Sequence, residues 1–261
     1  PAEPPQRGVP PVSSASGHQL PDARGRAHQG RRRPPEAVYV SGIDRKQHWD
    51  RAWSGRPADR MSWHQDRPGR SLAMIEDAGL AAGDALVDIG GGASTLAGQL
   101  LARGYEDVTV LDLSSSALDV ARRALGADAD RVTWIEQDVT QFRPGRSYRL
   151  WHDRAVFHFL LGPADRQRYA FALRQALPPG GQAVIATFAI DGPPRCSGLD
   201  VVRYDAEGIV AALGGGLNLV DTQNERHRTP GGAEQAFSYF RFVRSNDHPP
   251  DRLQSAVGEK K

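Results

Sequence analysis

The sequence predicts an α/β protein: a doubly wound, mostly parallel seven-stranded sheet with a C-terminal antiparallel hairpin and helices on both faces. Three observations carry that prediction. Short apolar runs alternate with helix-like segments from residue 85 to residue 213, the pattern of a parallel sheet covered on both sides. The first run enters a glycine turn, Gly90-Gly91-Gly92, and leaves it as a helical pattern. The last two runs are joined by a loop with no helix, which makes them antiparallel neighbours.

Taken in order, residues 1–40 predict a disordered basic tail. They hold eight prolines and the run Arg31-Arg32-Arg33-Pro34-Pro35, with too few apolar groups to offset chain entropy. A folded domain is expected over 41–244 and a polar tail over 245–261. Residues 48–53 and 71–78 read as helices, the second with Leu72 and Ile75 apolar. Strands are expected at 85–89, 107–112, 131–135, 148–153, 182–189, 217–223 and 236–243. Helices are expected at 94–103, 115–125, 164–177 and 205–213. Pro178-Pro179-Gly180-Gly181 stops a helix, and Thr229-Pro230-Gly231-Gly232 turns the final hairpin.

Composition narrows the function classes. A chain of 261 residues has room for a good core. Its net charge of +2 is uneven, because residues 1–40 carry six arginines against three acids and the rest is slightly acidic. The folded part therefore shows no nucleic-acid footprint. The single cysteine, Cys196, rules out an internal disulfide framework and a cysteine metal cluster. It suits a reducing compartment, so a cytoplasmic protein with no bound metal is expected. No stretch is long and apolar enough for a bilayer, and residues 1–40 lack the apolar core of a secretory signal.

The chemistry concentrates around the glycine turn. Asp88 lies inside the first strand, where a charge is costly to bury without a cation or donor. Asp112 ends the second strand, at the distance where a carboxylate accepts from both ribose hydroxyls. The dinucleotide fingerprint needs a small third residue, and that position falls on Thr95. A pyrophosphate would also be repelled by Asp88. S-adenosylmethionine (SAM) instead brings an ammonium and a sulfonium. Asp88, Gly90, Gly92 and Ser94 fill the pattern [DE]-x-G-x-G-x-[GS], and in this the sequence resembles class I SAM-dependent methyltransferases. The resemblance spans roughly residues 45–244. It implies a cofactor site of Asp88, Gly90, Gly91, Gly92, Ser94, Asp112 and the adjoining Leu113. Asp138 would accept from the adenine amino group, with Val139 against the ring.

The fourth strand ends in His152-Asp153-Arg154 and is followed by His158, where this superfamily meets the methyl acceptor. His152, Asp153 and His158 are the catalytic candidates, because an imidazole can take a proton from an acceptor that arrives protonated. Trp49, Trp53 and Trp63-His64-Gln65 resemble the N-terminal lid of thiopurine and thiol methyltransferases, with Arg51 one residue off that pattern. A similar entrance occurs in small lysine methyltransferases. Aromatic faces attract a sulfonium and exclude water, which assigns Trp63 to the cofactor. Trp53, Gln65, Arg154, Arg195 and His227 are assigned to substrate. The expected acceptor is a small molecule (thiol, carboxylate, amine or hydroxyl), handled by a monomer or weak dimer. A protein lysine is the alternative; a nicotinamide oxidoreductase and a non-catalytic SAM-binding regulator are further rivals.

Overall fold

The computed structural model describes residues 44–54 and 57–246, all within the unit Tyr39–Lys261. The expected tails at 1–40 and 245–261 lie outside the described residues, save Ser245 and Asn246.

The sheet is built from β1 (Leu86–Ile89), β2 (Val108–Asp112), β3 (Val132–Glu136), β4 (Leu150–Arg154), β5 (Gln182–Phe188), β8 (Leu217–Arg228) and β9 (Glu234–Arg244). Its order is β3-β2-β1-β4-β5-β9-β8. The first five strands are parallel, and β9 runs antiparallel to both β5 and β8. Helices α1 (Arg45–Trp53), α2 (Gly69–Glu76), α3 (Leu96–Leu101), α4 (Ser115–Leu125), α5 (Pro163–Ala176) and α6 (Ala206–Leu213) complete the fold. Ser114 caps α4 by accepting from the Ala117 N–H, and Asp205 caps α6 by accepting from Gly208.

Two elements differ from the sequence expectation. Strand β8 runs on to Arg228, through Asn224-Glu225-Arg226-His227, where no apolar pattern marks a strand. As an edge strand it alternates exposed and half-buried residues, so polar side chains are tolerated. A two-stranded ribbon, β6 (Arg195–Cys196) with β7 (Leu199–Asp200), occupies the expected loop after β5. The left-handed conformations of Ser197 and Gly198 close its turn.

Strand alternation divides the core. Val87, Ile89, Trp151 and Ile185 pack towards Tyr169 and Leu173 of α5. Leu86, Leu150 and Val184 pack the other way, on Leu72 and Ile75 of α2 and Leu100 of α3. The same period of two separates neighbours at the end of β4. His152 faces α2, and Asp153 faces α5. Asp153 was expected at the reaction face beside His152; the structure turns it into the opposite core. There its carboxylate accepts from the N–H groups of Val156 and Phe157 at 2.8 and 3.1 Å and from the Tyr169 hydroxyl at 2.6 Å. It holds a tight turn in which Ala155 adopts φ 73°, unfavourable for a residue with a Cβ.

Asp153→Ala should therefore act on stability. It strands three buried donors, a loss of roughly 2–4 kcal/mol, read as a lower denaturant midpoint. An unchanged midpoint with reduced turnover would return Asp153 to the reaction.

Candidate active site

Strand order reverses between β1 and β4, and open α/β sheets bind ligands beyond the carboxyl ends of strands at such a point. A cleft lies there in two adjoining compartments. The larger, about 850 Å³ of empty space, is walled by Asp112, Leu113, Asp138, Val139 and the aromatic side chains of Trp49, Trp63 and Phe159, among others. The smaller, about 580 Å³, is walled by Asp88, Gly91, Ser94, Gln65, Ser71 and His152, among others. Trp53, Trp63, Ile89, Gly90 and Arg154 line both.

Local backbone chemistry shapes this floor. Gly90 has φ +65°, and a Cβ there would run into Val156. Gly92 has φ +29°, and its Cβ would lie 2.7 Å from the Asp112 carboxylate. The turn therefore needs glycine, and it leaves Asp112 room. Asp112 accepts from the Ser114 N–H at 2.8 Å and makes no ion pair among the described residues. Burial pushes its pKa up to about 7; backbone N–H groups of Ser114 and Leu113 oppose the rise, and the charges of Asp88 and Asp50 add to it. Asp138 splits its two oxygens. One accepts from the Thr140 N–H and hydroxyl, both at 2.8 Å, and the other lies 3.6 Å from Arg45.

Asp88 is 2% exposed and is not left alone in its strand. His152 is its register partner on β4. The imidazole Nδ1 donates to the Asp88 carboxylate at 2.6 Å, and Nε2 meets the Ser71 hydroxyl at 2.9 Å. All three side chains are buried. The expected partner for Asp88 was a ligand cation; the chain already supplies one donor.

The N-terminal segment expected to act as a lid is tied down by polar contacts. Asp50 of α1 accepts from the Ser114 hydroxyl at 2.7 Å, and Lys46 reaches Glu136 at 2.7 Å. Trp49 and Trp53 meet Trp63 edge-on, with centroids 5.9 and 5.6 Å apart. The carbonyls of residues 62, 63 and 65 accept from His227 at 2.8 Å, Arg154 at 3.2 Å and Thr95 at 2.9 Å. The Gln65 side chain donates to Glu225 at 3.0 Å.

Several expected site residues stand elsewhere. His158 is fully buried outside the cleft, beside Phe159 and Phe188, and burial next to Arg154 drops its pKa to about 3. Its Nδ1 accepts from the Phe188 N–H at 3.3 Å, so it stays a neutral packing group. Arg195 lies outside the cleft and is well exposed; it pairs with Asp200 at 3.1 Å across its own ribbon. His227 lines neither compartment and holds the lid through Ser62. Gly92 shapes the floor from behind Asp112. Conversely, Ser71, Glu225, Tyr239 and Phe159 went unnoticed in the sequence as site residues. Ser71 opens an ordinary amphipathic helix, and the other three lie in stretches whose polar or apolar role depends on strand pairing.

Residues 86–181 match the family described as "Methyltransferase domain". No protein of curated function matches the chain in sequence. Solved structures do match in fold. One, described by the conversion of a disulfide bond into a thioacetal group during echinomycin biosynthesis, has a TM-score of 0.63 at 23% identity. It covers 78% of this chain and 93% of that one. The N-methyltransferase NodS from Bradyrhizobium japonicum WM9, in complex with S-adenosylhomocysteine, has a TM-score of 0.58 at 17% identity, covering 76% of this chain and 97% of that one. The glycopeptide N-methyltransferase MtfA gives 0.54 at 18%, covering 70% and 93%. Residues 86–181 thus carry a methyltransferase-domain match, and the seven-stranded sheet is the Rossmann-like fold shared with these methyltransferase structures.

Proposed function

We propose that this protein transfers the SAM methyl group to a small-molecule acceptor, with adenosine in the larger compartment and the methionine part in the smaller. The observation that carries this is the pair of carboxylates, Asp88 and Asp112, framing a three-glycine turn at the point where strand order reverses. Asp112 has the unpaired, space-cleared carboxylate that ribose hydroxyls require. The Asp138 oxygen that makes no hydrogen bond, beside Arg45, and the apolar faces of Val139 and Leu113 suit adenine. Asp88, oriented by His152, suits the ammonium, and Gly90, Gly91 and Ser94 give close backbone approach. Trp63 and Trp53 close over the sulfonium side, and Gln65 braces them. When bound, SAM would supply a methyl group activated by its sulfonium, so that an in-line acceptor lone pair bonds to the methyl carbon as the carbon–sulfur bond breaks and S-adenosylhomocysteine leaves.

The chain's own contribution is positioning and exclusion of water. His152 has both nitrogens engaged, Asp153 faces the opposite core, and His158 is neutral and buried. None stands as a free base, so the acceptor brings its own lone pair as a neutral amine, thiolate or carboxylate. Holding two reactants in line is worth up to about 7–11 kcal/mol without proton transfer. The single, buried Cys196 suits a cytoplasmic enzyme. Among the described residues no helix is long and apolar enough to cross a membrane.

Calorimetry should register S-adenosylhomocysteine binding in the micromolar range and no heat from NAD. Asp88→Ala should weaken that binding by roughly 1–3 kcal/mol. Tight NAD binding without an S-adenosylhomocysteine signal would refute the assignment.

Asp112 yields a pH test. The folded protein holds its proton up to about pH 7, whereas the unfolded chain releases it near 3.8. The folded state thus binds more protons in that window, and this group's contribution to stability falls as pH rises through it. Relative to Asp112→Asn, ligand-free wild type should lose melting temperature between pH 4 and 7. Above pH 7 the two should run parallel, with the variant more stable yet weaker for S-adenosylhomocysteine. Curves that stay parallel from pH 4 to 8 would mean a solvated carboxylate.

His152→Ala separates orientation from base catalysis. It should raise the cofactor Kd roughly tenfold, the scale of one charge-assisted hydrogen bond. The kcat–pH profile should keep its shape. Loss of an imidazole limb near pH 6–7, with Kd unchanged, would instead make His152 the base.

A further inference from the structure

We propose that the acceptor is an anionic small molecule whose carboxylate is held by Arg154. This rests on the methyltransferase assignment and goes beyond it by naming the substrate class. Among the described residues Arg154 is the only charged one that lines both compartments, which places it at the junction where methyl donor and acceptor would meet. Its side chain is only 10% exposed. Two of its three nitrogens are committed. Nε donates to the Tyr239 hydroxyl at 3.0 Å, and Nη1 donates to the Trp63 carbonyl at 3.2 Å. The guanidinium carbon lies 4.3 Å from the Phe237 ring centroid, which fixes its plane.

The third nitrogen, Nη2, is buried and makes no hydrogen bond. A buried donor without a hydrogen-bond acceptor is costly, and in a rigidly held guanidinium that geometry points to a ligand atom. Glu225 forms an ion pair with Nη2 at 3.7 Å, beyond hydrogen-bond length. Its carboxylate is taken up by Gln65 at 3.0 Å and by Tyr239 at 2.9 Å. A carboxylate on the acceptor satisfies Nη2 with a charge-assisted bond, whereas a protonated lysine side chain would face a like charge at the same point. The other residues that line both compartments, Trp53, Trp63, Ile89 and Gly90, are apolar. They suit a flat, apolar body. The pattern is that of an aromatic carboxylic acid, held by its charged end, with no enzyme base required of its nucleophile.

Benzoate and benzamide differ at one polar end and test this directly. Their binding to wild type, with and without saturating S-adenosylhomocysteine, can be followed by ligand-observed NMR. Benzoate should bind at least tenfold more tightly than benzamide. Arg154→Gln should erase that preference, and Arg154→Lys should retain part of it. Because Arg154 also anchors the Trp63 carbonyl, any loss of S-adenosylhomocysteine affinity in Arg154→Gln should be matched by an equal loss for 5′-methylthioadenosine, which lacks the amino-acid carboxylate. Equal binding of the two probes to wild type overturns the proposal, whether or not the variants fold. A tenfold loss of S-adenosylhomocysteine affinity in Arg154→Gln, with 5′-methylthioadenosine unaffected, also overturns it, because Arg154 would then hold the cofactor's own carboxylate. Should wild type fail to bind S-adenosylhomocysteine, the methyltransferase assignment falls, and the benzoate preference still reads Arg154 by itself.

Discussion

The contact between Asp88 and His152 is the constraint around which the site is organised. An acid in the middle of a fully buried parallel strand carries a large desolvation cost. The parallel register of β1 and β4 offsets it by placing an imidazole directly across the ladder. That solution fixes much else. The acid is pinned beside the glycine turn in one orientation. The imidazole loses its freedom to act on an acceptor. Ser71 must lie at the start of α2, close to β1, to meet the second nitrogen. A ligand ammonium reaching Asp88 therefore adds to an arrangement that is already oriented, which lowers the ordering cost of binding.

The lid depends on the same strand ends. Asp50 and Lys46 on α1 bond to Ser114, just past Asp112, and to Glu136, at the end of β3. Arg45 approaches Asp138. The segment from Met61 to Gln65 is held from the other side by Arg154, His227 and Thr95, through backbone carbonyls. Carbonyl acceptors do not depend on side-chain identity, so the anchors hold the main chain while the tryptophan faces stay free to meet ligand. The groups expected to grip adenosine and the groups that fasten the lid are thus neighbours in sequence. Each pair is individually weak at a half-exposed surface, and the set spans three strand ends.

Much of this was legible in the sequence, for physical reasons that also set its limits. The alternation of apolar runs and helical segments is local, so the strands that are buried on both faces were readable to within a few residues. The glycine turn was readable because left-handed geometry and close approach leave few alternatives to glycine at Gly90 and Gly92. Partnerships across strands were not readable. His152 and Asp153 are adjacent in sequence, and only the pleat decides that one joins Asp88 and the other joins Tyr169. The polar second half of β8 carries no strand signal, so Glu225 gave no hint of meeting Gln65. Nor could the pattern show that His158 is sealed beside Phe188 rather than turned towards the cleft.

The division of labour at the end of β4 has a consequence for chemistry. Three consecutive residues there serve three different ends. His152 orients an acid on one face, Asp153 ties the following turn on the other, and Arg154 reaches the junction of the cleft. With both titratable neighbours committed to structure, the reacting region is left with aromatic surface and one guanidinium. A guanidinium stays protonated at any working pH, so it can select and orient but not remove a proton. On the proposed reading, selectivity for the acceptor is separate from the reaction step: charge and shape would decide what enters, and the sulfonium's own reactivity would do the rest. Changes of acceptor would fall on Arg154 and the aromatic walls, whereas changes at Asp88, His152 or Asp153 would act on cofactor affinity or on the fold.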